Sequence, residues 1–260
     1  NSIIIWAVSA EADGEILKFT TADNGFSFSP TLLDVGTFAS FGSAAVGPLV
    51  NGDFYFNAQG TNAQKYDALV TLIGTVPNLV LTTGGSAIRY LTTFLGDEYV
   101  VGNELSASTN NAKIIKVPGG LPASATVFGA TPVLGTTSAG GLGDVSVQKV
   151  SDYVYNIFVL ATNNGFGAYQ VDLRTPLAGD YYIPQGANPQ GFATLNDAVT
   201  SLNANGAAGT VNFILDADTL RENSFTFNAD LSATNNVVVK PAPGRDVVLF
   251  VTAGPTQGNG

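Results

Sequence analysis

Cysteine, histidine and methionine are absent from the 260 residues. Without Cys there is no disulfide and no thiolate nucleophile, and without His there is no imidazole base and none of the zinc or iron sites that depend on these side chains. The chemistry left to the chain is that of carboxylates, hydroxyls, Lys, Arg and Tyr. The lack of Met leads to the expectation that Asn1 marks a mature or trimmed product. Charge is also scarce, at 12% of residues, and unevenly divided: 10 Lys and Arg stand against 20 Asp and Glu, for a net charge of -10. Such a surface repels phosphate backbones and anionic lipid, so neither nucleic acid nor a membrane surface is an expected partner. No apolar run approaches the roughly 20 residues of a membrane helix. The apolar N-terminal stretch at 3–8 lacks the basic flank of a signal peptide, and no membrane insertion is expected.

What the chain does have is 45% hydrophobic residues and 30 Gly. That is the composition of a compact fold rather than of a disordered acidic tail or a coiled coil. Few Lys, with abundant Asn, Thr, Ser and Gly, lean towards an extracellular or cell-surface setting. The first two thirds consist of short β-type runs separated by clusters of Gly, Asn, Asp, Ser and Pro, with no helical periodicity. The expected fold class is therefore all-β, or mainly β.

Four segments, 3–19, 54–67, 98–117 and 155–172, share one layout. An apolar strand runs into a small polar turn and then into a second strand with Lys or Gln near its start. The openings of the second strands, Ile16, Gln64, Lys113 and Ala168, are separated by 48, 49 and 55 residues. A period of about 40 to 50 residues with several strands per unit resembles the blades of a β-propeller. The alternative for 1–175 is a β-sandwich whose hairpins recur at similar spacing. On the propeller reading, Ile5, Tyr55, Val100 and Phe158 belong to equivalent strands of successive sheets.

A Pro- and Gly-containing break at 174–180 predicts a domain boundary, with a second module at 176–260. A helix is predicted over 189–203, with Phe192, Leu195, Val199 and Leu202 forming its apolar stripe and Asn205-Gly206 its stop. Strands follow at 209–215, 236–240 and 246–252. The runs Gly191-Phe192-Ala193-Thr194-Leu195-Asn196-Asp197-Ala198-Val199, Gly209 to Leu215 and Asn235 to Pro241 resemble the opening of a pectin-lyase-like right-handed parallel β-helix, found in large secreted and surface bacterial proteins. The resemblance implies a β-helix-like module whose amphipathic capping helix plugs the first coil. About two coils fit before Gly260, and the family's sugar-cleaving residues have no counterpart.

Several side-chain groups could carry chemistry. Glu11, Asp13 and Glu15 place three carboxylates around Gly14 in one turn and are the candidate calcium ligands, calcium being the only cofactor for which a candidate arises. The same residues are also accounted for as a solvated hairpin tip. Asp216 and Asp218 lie on one side of an extended chain, either as a metal or proton-sharing pair or as turn residues bonding nearby amides. Asp97 and Glu98 face opposite ways and make a poor acid–base couple. Tyr181 and Tyr182 are the candidate sugar-stacking ligand residues, with core packing as the alternative.

The expectation is a non-catalytic extracellular or cell-surface structural or adhesive protein: a repeating filament or surface-assembly subunit, or a fragment of a large adhesin. Its expected partners are other copies, through exposed β edges, or a surface glycan. The alternative is a carbohydrate-binding module of a polysaccharide-degrading system, or a glycosidase or lyase fragment.

Overall fold

The computed structural model describes residues 3–8, 13–25, 27–37, 44–58, 61–81, 87–105, 110–135, 143–161, 164–188, 190–229 and 231–252. The chain divides into two units, Asn1–Leu173 and Arg174–Gly260.

The first unit is built from antiparallel sheets that follow one another along the chain. Strands β1 (Ile4–Val8), β2 (Asp13–Thr20) and β3 (Ser29–Thr37) form the first sheet, and β4 (Ala44–Pro48), β5 (Phe54–Ala58), β6 (Gln64–Tyr66) and β7 (Leu72–Thr75) form the second. The third comprises β8 (Ile88–Phe94), β9 (Asp97–Leu105), β10 (Asn110–Val117) and β11 (Thr126–Ala130), and the fourth β12 (Gly143–Lys149), β13 (Val154–Ala161) and β14 (Gly165–Asp172). Each strand pairs with its sequence neighbour, as hairpin connections dictate. Ile5, Tyr55, Val100 and Phe158 fall on β1, β5, β9 and β13, one in each sheet.

Side-chain alternation explains how the sheets stack. On β5, Phe54 and Phe56 join a core with Trp6, Val8 and Ile16 of the first sheet, while Tyr55 points the other way into a core with Val100 and Ile115 of the third. On β9 the same alternation sends Val100 back towards the second sheet and Tyr99 and Val101 forward to Tyr155, Ile157 and Val159 of the fourth. Strands buried on both faces carry near-continuous apolar runs, and all five residues of β5 are buried. The fourth sheet is buried on one face only. Tyr155, Ile157 and Val159 turn inward, and Asn156, Phe158 and Leu160 turn outward.

The tight turn joining β8 to β9 is made by Leu95 and Gly96 between the paired residues Phe94 and Asp97, with φ of 53° and 84°. Positive φ at both central residues suits the twist of a two-residue hairpin, for which Asn-Gly is the favoured sequence. Leu95 is branched, exposed and held in a region that costs a non-glycine residue about 1–2 kcal/mol. Leu95→Asn should therefore stabilise the protein by about 1 kcal/mol, read as a higher urea midpoint with an unchanged m-value.

In the second unit, β15 (Leu177–Ile183), β16 (Ala207–Leu215) and β18 (Val237–Pro241) form one parallel sheet, and β17 (Thr219–Asn223) pairs in parallel with β19 (Val248–Thr252). The sequence resemblance to a β-helix opening is corrected here. Among the described residues, parallel pairing comprises these sheets of three and two strands and an isolated bridge between Tyr182 and Gly191, the other sheets are antiparallel, and no parallel β-helix with a capping helix is shown. An amphipathic helix followed by β-branched runs states that strands lie under a helix. It does not state how they stack beyond their immediate neighbours.

The helix α1 spans Leu195–Asn205, so it starts later than the sequence pattern predicts. Thr194 is its N-cap, extended in φ and ψ, with its hydroxyl accepting from the Asp197 N–H at 3.0 Å. Phe192 therefore precedes the helix, where it packs on Tyr181 and Phe213, and Pro189 lies outside the described residues. Leu195, Ala198, Val199 and Leu202 are buried with Val211, Phe213 and Leu215 of β16. Both oxygens of the buried Glu222 on β17 accept from the first helical amides, Leu195 N–H at 2.8 Å and Asn196 N–H at 3.2 Å. They satisfy donors that no helical carbonyl can reach and place negative charge at the positive end of the helix. Gly206, at φ 77°, closes the other end by donating to the Leu202 carbonyl at 2.7 Å. Leu195→Ala should cost about 2–5 kcal/mol, measured by urea titration of the full chain with hydrogen exchange read within the second unit.

Candidate functional site

The outward face of the fourth sheet is a grid set by strand register. Gln148 pairs with Asn156 and Asn156 with Gln170; Ser146 pairs with Phe158 and Phe158 with Ala168; Asp144 pairs with Leu160 and Leu160 with Phe166. Period-two alternation puts all nine on one side. In the first row, Gln170 Nε2 donates to Asn156 Oδ1 at 3.1 Å and Asn156 Nδ2 donates to Gln148 Oε1 at 3.0 Å. The result is a head-to-tail amide ladder across three strands. A side-chain amide carries two donor hydrogens and two acceptor lone pairs, so each member keeps capacity for a further partner.

Beside the ladder, the rings of Phe158 and Phe166 lie nearly parallel, at 14°, with centroids 6.2 Å apart. Phe166 is 64% exposed, the most exposed phenylalanine among the described residues. Between aromatics and amides the small Ala168 leaves a hollow of about 290 Å³, walled by Asn156, Phe158, Tyr169 and Gln170. Tyr169 belongs to the opposite face, where its ring lies so close over Gly167 that a Cβ at that position would sit 2.5 Å from the phenolic oxygen. β14 is a sheet edge, so the hollow opens sideways as well as outward.

A second polar constellation lies inside the first unit. Lys65 Nζ on β6 donates to Glu98 Oε1 on β9 at 2.7 Å and to the Gly120 carbonyl at 3.1 Å, and Tyr55 Oη on β5 donates to Glu98 Oε2 at 2.7 Å. The Lys65 and Glu98 side chains are 5% and 11% exposed. Burial, reinforced by the carboxylate it bonds, holds the Tyr55 phenol far above its ordinary range. Gly120 has φ 72°, and a Cβ there would come within 2.9 Å of Glu98 Oε1. Only glycine lets the backbone carbonyl close this cluster. With both oxygens of Glu98 occupied and Lys65 bonded twice, the arrangement is a satisfied buried network rather than a reactive one.

Other acids of the first unit are ion-paired as well. Asp97 pairs with Lys116 at 2.8 Å and accepts from the Gly119 N–H; these bonds hold its carboxyl below the usual range although burial alone would raise it. Asp144 pairs with Arg89 at 2.9 Å, Asp152 with Lys149 at 2.7 Å, and Glu104 with Lys113.

Glu11 lies outside the described residues, and Asp13 and Glu15 lie on β2, opposite Thr37 and Asp34 with a bulge between. Among the described residues no group of three or more acidic side chains is placed to hold a metal ion. Asp216 and Asp218 do converge, but on Arg245, whose Nε and Nη1 reach them at 2.6 and 2.9 Å. Tyr181 and Tyr182 are consecutive on β15 and face opposite sides, so they form no common platform. Tyr181 packs against Phe192 and Phe213 in the core. The sequence reading missed the amide ladder and the Lys65–Glu98 pair. The spacing of Gln148, Asn156 and Gln170 becomes meaningful only once the β12–β13–β14 register is known, although the Lys or Gln near the start of each second strand was a partial signal for Lys65.

Removing one partner of the buried pair leaves an uncompensated charge. Lys65→Met should cost about 3–5 kcal/mol, whereas Lys65→Met combined with Glu98→Gln should recover much of that loss. Urea midpoints of the single and double variants check this.

The sequence matches no protein-family model and no characterised protein sequence. Among solved structures, a DUF4623 family protein from Bacteroides eggerthii is similar over 66% of this chain and 43% of its own, at 13% identity and a TM-score of 0.48. The NanB sialidase from Streptococcus pneumoniae is similar over 66% of this chain and 29% of its own, at 11% identity and a TM-score of 0.45. A GH43 endo-arabinanase from Bacillus licheniformis is similar over 62% and 65% respectively, at 12% identity and a TM-score of 0.31. The chain thus spans less than half the length of the first two proteins.

Proposed function

We propose that the chain is a non-catalytic, carbohydrate-binding part of an extracellular or cell-surface protein, and that its first unit is a run of propeller-like blades displaying the binding face on the last of them. The observation that carries this reading is the amide ladder set beside two near-parallel phenylalanine rings, with the Ala168 hollow between. A sugar ring has an apolar C–H face and a rim of hydroxyls. Phe158 and Phe166 offer the first a flat partner of large area. Asn156 and Gln170 offer the second both donors and acceptors from rigid strands.

Binding is favoured over catalysis by the state of the acids. Hydrolysis of a glycosidic bond uses two carboxyl groups flanking the bond, one of them able to hold a proton at working pH. Asp144, an acid on this face, is tied to Arg89 and exposed. Glu98 is bonded to Lys65 and Tyr55 inside the fold, with both carboxylate oxygens engaged. An adhesive role at a cell surface follows if the glycan belongs to a neighbouring cell. Pairing with other copies through free sheet edges such as β14 and β18 is the second mode of association that the topology allows.

A glycan array should give binding, with no release of reducing sugar on prolonged incubation. Phe166→Ala and Gln170→Ala should each weaken binding by about 1–2 kcal/mol, roughly 5- to 30-fold, while leaving the melting temperature unchanged because both side chains are exposed. Binding unaltered by both substitutions, or turnover that survives them, would refute the assignment of this face.

A further inference from the structure

In the second and third sheets the third strands, β6 and β10, are covered on their outer side by β7 and β11, both antiparallel. The corresponding strand of the fourth sheet, β14, has no strand beyond it among the described residues. Hydrogen-bond alternation identifies the backbone groups it presents there. The Leu173 N–H donates to the Tyr153 carbonyl at 2.8 Å, and across an antiparallel pair every second residue bonds to its opposite number. Val171, Tyr169 and Gly167 therefore bond to β13, and the N–H and C=O groups of Gln170, Ala168 and Phe166 point away from it.

Sheet edges are ordinarily guarded by charge, proline or a bulge. The outer strand of the first sheet, β3, carries Pro30 and Asp34. From Gly165 to Val171, β14 has neither a charged residue nor a proline, and its register with β13 runs without a shift. The strand is also complementary to itself. Antiparallel pairing of two copies about Ala168 sets Ala168 opposite the partner's Ala168, Gln170 opposite the partner's Phe166, Tyr169 opposite the partner's Gly167 and Val171 opposite the partner's Gly165. On the inward side each large residue meets a glycine. The outward backbone groups of Phe166, Ala168 and Gln170 are satisfied in three pairs that each exchange two bonds. Asp172 comes opposite the partner's Asn164, so no carboxylate on the strand faces its own copy.

We infer that β14 is the seam of a two-fold dimer, in which a second copy of this chain adds antiparallel to it and two three-stranded sheets become one of six strands. The partner completes the binding face. The hollow that one copy leaves open sideways becomes a trough floored by Ala168 of both copies and walled by Phe158 of each, with Gln170 beside the partner's Phe166 at one end and the reverse at the other. Resting on the carbohydrate-binding reading above, this trough is one glycan site shared by two chains.

The chain has no Cys, so a single introduced thiol can be oxidised only against another copy. Two-fold pairing about Ala168 holds its Cα atoms about 5.5 Å apart, within disulfide reach, while Gln170 lies about 14 Å from its own copy along the seam. Under mild oxidation of the full chain, Ala168→Cys should form a disulfide dimer at least tenfold faster than Gln170→Cys, and a mixture of Phe166→Cys with Gln170→Cys should give the heterodimer. Sedimentation of the unaltered chain from about 5 to about 200 μM should show a concentration-dependent dimer, more populated at 500 mM than at 20 mM salt because each copy carries -10. A chain that stays monomeric throughout, or Gln170→Cys linking as fast as Ala168→Cys, would overturn the seam, and glycan binding by that monomer would leave the carbohydrate-binding reading standing. A dimer with the expected cross-links that binds no glycan on the array would keep the seam and overturn that reading.

Discussion

In the two middle sheets of the first unit, the central strands β5 and β9 have no solvent side. Phe54, Tyr55 and Phe56 face alternate cores, as do Tyr99, Val100 and Val101, so a polar side chain on β5 or β9 is shut off from water and depends on partners inside the protein. This constraint accounts for the features that composition alone leaves unexplained. Glu98 sits in the middle of such an environment and is tolerable only because Lys65, Tyr55 and the turn at Gly120 converge on it from three other segments. Charge in this chain is scarce, and part of that small number is committed to linking the second sheet to the third.

The fourth sheet escapes the constraint on one side, and there the pattern changes. Where β9 alternates between two apolar cores, β13 alternates between Tyr155, Ile157 and Val159 inside and Asn156, Phe158 and Leu160 outside. Retaining two phenylalanines on the wet side, one of them well exposed, departs from the usual economy of a solvated sheet face. The amide row beside them distinguishes this face from a purely apolar one that awaits another sheet.

How far the sequence could be read depended on the range of the interaction. The hairpin layout from Ile16 to Ala168, the strand runs and the helix stop at Asn205-Gly206 are local patterns, and the all-β class follows from them. Convergence across the chain is not local. Asp216 and Asp218 could be seen to share a side, but nothing at their own positions announced Arg245, 29 and 27 residues away. Tyr181 and Tyr182 looked like a pair because they are adjacent, although extended backbone separates neighbours onto opposite faces. The β-helix resemblance failed for a related reason: the runs Val211 to Leu215 and Val237 to Val239 state that parallel partners exist, and the number of strands in each sheet is decided by contacts those runs do not contain.

The cap on α1 has a consequence for the order of events in folding. The carboxylate that satisfies the first helical amides belongs to Glu222, which emerges from the ribosome well after Leu195 and Asn196. An 11-residue helix is too short to persist in water on its own propensity, and its Thr194 cap supplies only one of the acceptors its N-terminus needs. Until β17 arrives, the helix is a fluctuating segment above a sheet that lacks β18. Helix, strand and cap must therefore settle together once Glu222 has emerged, and a chain stalled between residues 205 and 222 would present its apolar stripe to whatever chaperone or neighbouring chain lies nearest.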